Sequence, residues 1–174
     1  MKNYTLTFLI SLILASVGCK TTTVTPISTL ATKKMDRGAK VYVTIPCDGS
    51  YGNEKYPGSG NDVAAALEAA FARYDVSVAI GEQTDAASEA IGAAKLKECQ
   101  YLVIPKIIHW EDRATEWSGV RDKMGLFIKV VLVKDGSEVR SAEISGKSSW
   151  FTFGGDHPQD LLKAPIQQFI GSLF

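Results

Sequence analysis

The sequence predicts one α/β domain in which helices pack on a mixed sheet of about five strands, in the order β-α-β-α-β-β-β-α. Three observations support this prediction. Strand-like and helical apolar patterns alternate up to residue 110, an Asp-Gly pair at 135–136 separates two strand-like runs, and a helical stripe closes the chain. Residues 39–174 are therefore predicted to form a single domain around one core.

The first part of the domain is predicted to contain three strands separated by two helices. β-branched residues alternate along 40–46, and short apolar runs follow at 76–80 and 101–110, a pattern typical of strands. Apolar residues recur at helical spacing in 61–74 and in 87–96. The small residues of the second helix predict close packing on the sheet.

The third strand contains Pro105, which predicts a sheet edge or a bulge nearby because proline cannot donate a ladder hydrogen bond. Two further strands are predicted at 124–133 and 138–150. The four residues between them, 134–137, include Asp-Gly, which is a strong signal for a hairpin.

The last predicted element is a helix over 158–173, which packs its apolar stripe on the sheet. Pro165 lies inside this span. Its ring and its missing N–H predict a kink or a break near Leu161.

The N-terminus carries an export pattern that ends at Cys19. Lys2 precedes an apolar run over 6–14, and the small residues of 15–18 follow. A run of nine apolar-dominated residues cannot cross a bilayer that needs roughly 20. The pattern predicts a lipoprotein signal peptide over 1–18 and a lipid on Cys19. An ordinary signal peptide and a retained membrane helix are the alternatives.

The residues around Cys19 resemble a bacterial lipobox. Gly18 is the expected small residue before the cysteine, whereas Ser16 stands where leucine is usual. Lys20 replaces the aspartate that inner-membrane retention usually requires, so the resemblance implies an outer-membrane protein that faces the periplasm. Several acyl chains would make the anchor effectively permanent, at about 0.8 kcal/mol per buried CH₂.

Residues 19–38 are predicted to form a flexible tether, because Thr, Ser and Lys dominate this stretch. Removal of 1–18 takes away only one charged residue, Lys2. The remaining chain has 18 basic and 19 acidic residues, a net charge near −1. Without a basic excess to neutralise phosphates, nucleic-acid binding is not expected.

Two cysteines remain after lipidation, Cys47 and Cys99. If the strands at 40–46 and 101–110 run parallel, these cysteines lie at opposite strand ends, roughly 20 Å apart. A disulfide needs Cα atoms within about 7 Å, so no bridge is predicted. The apolar neighbours of Cys47 predict a buried, inert thiol.

The loop at 48–60 holds four glycines and one proline, and its length suggests a binding loop. Ser59 or Asn61 is predicted to cap the helix that follows. The triplet Gly58-Ser59-Gly60 lacks the spacing and the lysine of a nucleotide-binding loop, so it is interpreted as a turn.

This loop and the strand that ends near residue 110 supply the candidate partner or ligand surface. Its predicted residues are Asp48, Tyr51, Tyr56, Ser59, His109, Trp110, Glu111, Asp112, Arg113, Glu116 and Trp117. Alternation along a strand places His109, Glu111 and Arg113 on one face and Trp110 on the other. A purely structural face is the leading interpretation of these residues. A partner-binding surface is the functional interpretation, favoured by Trp110, Trp117 and Arg113 because tryptophan and arginine are enriched at interface hot spots.

Two chemical alternatives use the same residues. A metal site would combine His109 and Glu111 with His157 or Asp48, but two ligands at i and i+2 without a fixed third one are a weak signal. An acid–base hydrolase would use Glu111 or Asp112, although exposed carboxylates are more often ion-paired and solvated. Neither alternative is favoured, so no metal, no cofactor and no enzymatic activity are expected.

Three segments, 48–52, 56–60 and 109–119, resemble the bacterial lipoprotein family catalogued as domain of unknown function 4823. The resemblance extends over most of the chain after the leader and implies no activity. Cys47 stands where that family is expected to have a small residue such as alanine. The predicted topology is also similar to small α/β domains of periplasmic lipoproteins that assemble around secretion channels, peptidoglycan synthases and transporters.

Together these features favour an adaptor that is held to the outer membrane by its lipid and binds an envelope protein of unknown identity. The first alternative is a small-ligand binder with a pocket between Tyr51, Tyr56 and the strand of His109. The second is an envelope hydrolase.

Overall fold

The computed structural model describes residues 20–27, 34–84, 86–112, 121–148 and 157–174; the predicted signal peptide and Cys19 lie outside them. The strands are β1 (Thr21–Pro26), β2 (Lys40–Ile45), β3 (Ser50–Tyr51), β4 (Glu54–Lys55), β5 (Ser77–Gln83), β6 (Tyr101–Glu111), β7 (Lys123–Leu132) and β8 (Glu138–Lys147). The α-helices are α1 (Ser59–Phe71), α2 (Ala87–Leu96) and α3 (Lys163–Gly171), and a 3₁₀ turn (Pro158–Leu161) precedes α3.

Six strands form one sheet in the order β1-β8-β7-β6-β2-β5, and β3 and β4 form a separate small hairpin. β2 runs parallel to β5 and β6, and the remaining neighbours in the large sheet are antiparallel. The prediction of a mixed α/β sheet is confirmed. The large sheet has one strand more than the five that were predicted.

The additional strand, β1, lies within the stretch that was predicted to be a flexible tether. It pairs with β8 from Thr21 opposite Lys147 to Pro26 opposite Ala142. Val24 is its partly buried apolar residue and packs on the main core, while the threonines are exposed. Farther along the same stretch, Met35 is also buried in the core. This part of the tether prediction is therefore wrong: β8 supplies the hydrogen-bonding partner for a strand with little hydrophobic pattern of its own.

The main core lies on one face of the sheet, beneath α1, α3 and the 3₁₀ turn. Each of these elements buries a helical stripe of apolar side chains, and burial of each large side chain contributes about 1.5–3 kcal/mol. The fully buried large side chains of the helical layer include Leu67, Phe71, Leu161, Ile166, Phe169 and Ile170. They pack on Val41, Val43, Leu126, Ile128 and Ile144 of the sheet.

The cap of α1 differs from the prediction. The N-cap residue is Gly58, whose φ of 92° lies in the left-handed region that favours glycine. Ser59 is the first helical residue instead, and its hydroxyl donates to the carbonyl of Tyr56. Neither Ser59 nor Asn61 is therefore the N-cap.

The opposite face of the sheet is covered only in part. α2 packs Ala90 and Ala94 on Tyr42, Leu102 and Val131, as the small residues of this helix predicted. Farther along β6, β7, β8 and β1, the same face carries exposed polar residues, including Thr23, Thr25, Glu143 and Ser145. An antiparallel sheet region can leave one face in water in this way.

Both irregularities predicted from prolines are present. Pro105 lies beyond the part of β6 that pairs with β2, which ends at Val103, and the register against β7 shifts between Ile107 and His109. The C-terminal helical segment breaks between the 3₁₀ turn and α3. Pro165 is in the first turn of α3, where its missing N–H removes no intrahelical bond.

No disulfide joins Cys47 and Cys99. Cys99 is buried, and desolvation raises the pKa of its thiol, while the nearby Lys40 and Lys97 charges oppose that rise. Cys47 is exposed, contrary to the prediction of a buried thiol, because it lies two residues beyond the end of β2, in the loop. Among the described helices, none combines the length and hydropathy that a membrane crossing requires.

Candidate functional site

A β-bulge in β6 places two consecutive side chains on the open face of the sheet. Ile107 pairs with Leu126 and His109 with Gly125, so Ile108 is the additional residue of the bulge. A Cβ built on Gly125 would lie 3.2 Å from the Cβ of His109 and 3.7 Å from the Cβ of Ile108. The missing side chain of Gly125 thus leaves room for both residues. Ile108 is 54% exposed.

Tyr51 covers one side of this bulge. The β3–β4 hairpin carries its ring to His109, where the two ring centroids are 5.2 Å apart and meet edge to face at 67°. Tyr51 remains 42% exposed. Tyr51, Ile108 and His109 together form a small exposed patch of aromatic and aliphatic side chains, here called the bulge patch.

Hydrogen bonds at the start of α1 hold the loop that carries Tyr51. The Ser59 hydroxyl accepts from the N–H of Gly49 at 2.8 Å and donates to the carbonyl of Tyr56 at 2.7 Å. The Asp48 carboxylate accepts from the N–H of Gly60 at 2.9 Å. Ser59 is only 3% exposed, so it supports the loop and does not offer a contact surface.

Glu111 is a buried carboxylate beside the bulge patch. Its side chain has no exposed area, and Oε2 lies 3.2 Å from Nε2 of His109 and 3.3 Å from Nζ of Lys123. Lys123 is the register partner of Glu111 on β7. A buried carboxylate is costly unless cations and hydrogen bonds compensate it. Lys123 and His109 supply that compensation.

Trp110 was predicted to contribute to the exposed surface and does not. It projects to the helix-covered face with its register partner Met124, and it is 3% exposed. The alternation predicted from the sequence does separate Trp110 from Glu111. The sequence did not show which of the two strand faces is covered by helices.

Asp112 follows the strand and joins two other parts of the chain. Its carboxylate lies 3.1 Å from Nδ1 of His157, and its carbonyl accepts a 3.3 Å hydrogen bond from the Tyr56 hydroxyl. The hydrogen bond to Asp112 raises the pKa of His157. Burial opposes that rise, and the charges of Asp112, Asp160 and Asp122 add to it. His157 is also the N-cap of the 3₁₀ turn, where its N–H donates to the Asp160 carboxylate.

The sequence-based site is thus brought together in part. Tyr51, His109 and Glu111 are in one cluster, and Tyr56 and Asp112 are in a second one beside it. Arg113, Glu116 and Trp117 lie outside the described residues. Ile108, Lys123 and Gly125 were missed; Pro105 indicated a bulge, but the sequence does not specify which residue is in it.

The metal and ligand alternatives can be compared with this geometry. His157 pairs with Asp112 and not with His109 and Glu111, and the described part of the chain contains no group of three His, Cys, Asp or Glu that could hold a metal ion. Cavities of about 290 Å³ and 410 Å³ lie beside α2 and at the start of β6. Neither is lined by Tyr51, Tyr56 or His109.

The model of the family described as Domain of unknown function (DUF4823) matches residues 33–173. Among solved structures, the chain is similar to the PelC dodecamer from Paraburkholderia phytofirmans, with a TM-score of 0.64, 15% identity, and coverage of 89% of this chain and 98% of that one. A single-residue variant of the same PelC has a TM-score of 0.62 and 16% identity, and the match covers 90% of this chain and 98% of that one. No protein of curated function matches significantly. At these identities the structural similarity shows the fold alone.

Proposed function

As this chain belongs to the family of the domain of unknown function DUF4823, we propose that it is a non-catalytic adaptor lipoprotein of the bacterial envelope. In this proposal, acylated Cys19 holds the protein to the periplasmic face of the outer membrane. The bulge patch binds an envelope protein. The export pattern and lipobox resemblance around Cys19 support the anchor.

The observation that carries the adaptor function is the exposure of Ile108 and Tyr51 on a rigid support. Ile108 is 54% exposed and Tyr51 is 42% exposed, and His109 contacts the Tyr51 ring and is next to Ile108 in the chain. A bulge redirects side chains at a fixed position of a sheet, and such features are often associated with binding sites. Tyrosine supplies a large contact area at low entropic cost, as at many protein interfaces.

The same cluster offers little support for hydrolysis. Glu111 has no exposed area and is next to Lys123, so a substrate has no direct access to its carboxylate. The Asp112 carboxylate is held by His157. We therefore assign these carboxylates structural roles and place the function in protein binding.

Crosslinking in intact cells, followed by affinity capture and mass spectrometry, tests the proposal. The comparison uses the parent chain, Ile108→Asp, and a double variant with Tyr51→Ser added. Leu96→Asp is the matched control, because Leu96 is 88% exposed but lies on α2, away from the bulge patch. A charge at the centre of an apolar contact should reduce capture of the partner about tenfold or more.

The expected result is a reproducible envelope partner that is captured by the Leu96→Asp chain. The Ile108→Asp chain, alone or with Tyr51→Ser, should lose this partner. A Cys19→Ala chain should lose the partner as well, because it lacks the anchor. The similar PelC structure is a dodecamer, so crosslinks between copies of this chain are scored separately from those to another protein. Unchanged capture by the bulge variants at parental protein levels would contradict the adaptor surface.

A further inference from the structure

The end of the sheet next to the proposed anchor is defined by the register of four strands. Thr21, the first residue of β1, lies opposite Lys147 of β8, which lies opposite Lys123 of β7. Lys123 in turn pairs with Glu111, the last residue of β6. Cys19 precedes Thr21 by two residues, and two residues of chain span at most about 7 Å between Cα atoms.

Among the described residues, basic side chains dominate the exposed surface of this end. Lys20, Arg121 and Lys147 are exposed, and the side chain of Lys123 is 41% exposed. The overall chain has equal numbers of basic and acidic residues, so this local excess is not a consequence of composition. We refer to these four residues as the basic end.

The acidic side chains that the structure describes at this end are buried or held by a partner. Glu111 has no exposed area and pairs with Lys123, and Asp122 is 8% exposed. Asp112 is held by His157 on the side of the 3₁₀ turn. The described surface that would face an anchoring membrane therefore has a net positive charge.

We propose that the basic end rests on the bilayer and binds the phosphate groups of anionic phospholipids. This inference rests on the lipid anchor of the proposed function and adds to it an orientation and a lipid preference. Anionic headgroups attract basic residues near the bilayer surface, and the attraction extends about one Debye length, roughly 8–10 Å. The β1 end of the row is on that scale from the acylated residue, because Thr21 is two residues from Cys19 and Lys147 is opposite Thr21 on the next strand.

This orientation has a structural consequence for the bulge patch. The strands β6, β7 and β8 would stand on the membrane at their anchored end, and the β7–β8 turn at Lys134 would point away. β7 is ten residues long, so its two ends are roughly 30 Å apart. His109 is only two residues from the basic end, which places the bulge patch close to the bilayer surface.

The test uses the full lipidated chain, reconstituted in vesicles of phosphatidylcholine alone or with about a third of phosphatidylglycerol. Brief amine acylation and mass spectrometry then measure the reaction rate of each lysine. On anionic vesicles, Lys20 and Lys147 should react about fivefold more slowly than on neutral vesicles. Lys95 and Lys134, near the opposite end, should react at equal rates on both.

Charge reversal supplies the matched variants. Arg121→Glu with Lys147→Glu should abolish the protection of Lys20 on anionic vesicles, whereas Lys95→Glu with Lys134→Glu should leave it unchanged. Salt at about 1 M, where the Debye length is about 3 Å, should also remove the protection in the parent chain.

The outcomes separate this inference from the anchor on which it rests. Flotation of the chain with the vesicles is measured first, and failure to float would overturn the lipid anchor and with it the orientation. Flotation with equal lysine reactivity on the two vesicle types would overturn the lipid contact alone. If Lys95 and Lys134 were protected and Lys20 and Lys147 were not, the opposite end of the sheet would face the bilayer, and the proposed orientation would be wrong.

Discussion

Gly49 lies directly against Trp110, so closely that a Cβ built on Gly49 would overlap the Cβ of Trp110 and lie 2.9 Å from its Cγ. The contact fixes the loop that carries Tyr51 to the edge of β6. Gly49→Ala should therefore force the loop away from the strand and lower the free energy of unfolding by about 1–3 kcal/mol. Chemical denaturation measures the change.

Gly92→Ala is the control for this substitution. Gly92 is an exposed residue inside α2, and a Cβ built there would meet nothing within 4 Å. Alanine should stabilise the helix by about 0.5–1 kcal/mol. If both variants were equally stable, the close packing of the loop on Trp110 would be refuted.

A second prediction compares two lysines on β7 that differ in their acidic partners. Lys123 pairs with Glu111 and Lys129 with Glu138, and both lysine side chains are 41% exposed. Glu111 has no exposed area, whereas Glu138 is 32% exposed. Removing the cation beside a buried carboxylate leaves its desolvation cost poorly compensated. Lys123→Met should thus destabilise the fold by about 1–3 kcal/mol, and Lys129→Met by no more than about 0.5 kcal/mol.

Lys123→Arg provides the rescue for that comparison, because it retains the positive charge next to Glu111. Its unfolding free energy should lie close to that of the parent chain. Equal losses for Lys123→Met and Lys129→Met in denaturant titrations would show that the burial of Glu111 does not govern the strength of the pair.

Elements with a strong local pattern were predictable from the sequence. The apolar stripe of α1 and the Asp135-Gly136 pair at the β7–β8 turn both specify their structures through neighbouring residues alone. The turn joins β7 to β8 as predicted, with Gly136 at a φ of 69° and its N–H bonded to the carbonyl of Leu132. Local steric preferences were sufficient for these elements.

Features that depend on a distant partner were not predictable in the same way. β1 is a strand because β8 offers it a hydrogen-bonding edge, and its threonine-rich sequence by itself also suits a linker. Likewise, the exposed position of Ile108 follows from its register against Gly125, while the burial of Trp110 follows from the helices on that face. Alternation assigns residues to two strand faces but does not tell which one is covered.

A third prediction concerns the pH dependence of the pair formed by His157 and Asp112. The hydrogen bond to Asp112 raises the pKa of His157 in the folded protein, and unfolding returns it to about 6.5. The folded state therefore binds this proton more tightly, so the pair contributes its full stabilisation below about pH 6.5. The contribution is lost as the pH rises through the higher folded-state value. Because the His157 side chain is 52% exposed, we expect only about 0.5 kcal/mol.

Denaturant titrations of the parent chain and Asp112→Asn, at intervals from about pH 5.5 to 8.5, isolate this contribution from other titrating groups. The difference in unfolding free energy between the two chains should be largest at the acidic end and should shrink towards the alkaline end. His157→Gln should show the same trend relative to the parent, because it removes the other member of the pair. A difference that instead grew with pH would mean that the folded state favours neutral His157, which would contradict the raised pKa and the role assigned to the Asp112 carboxylate.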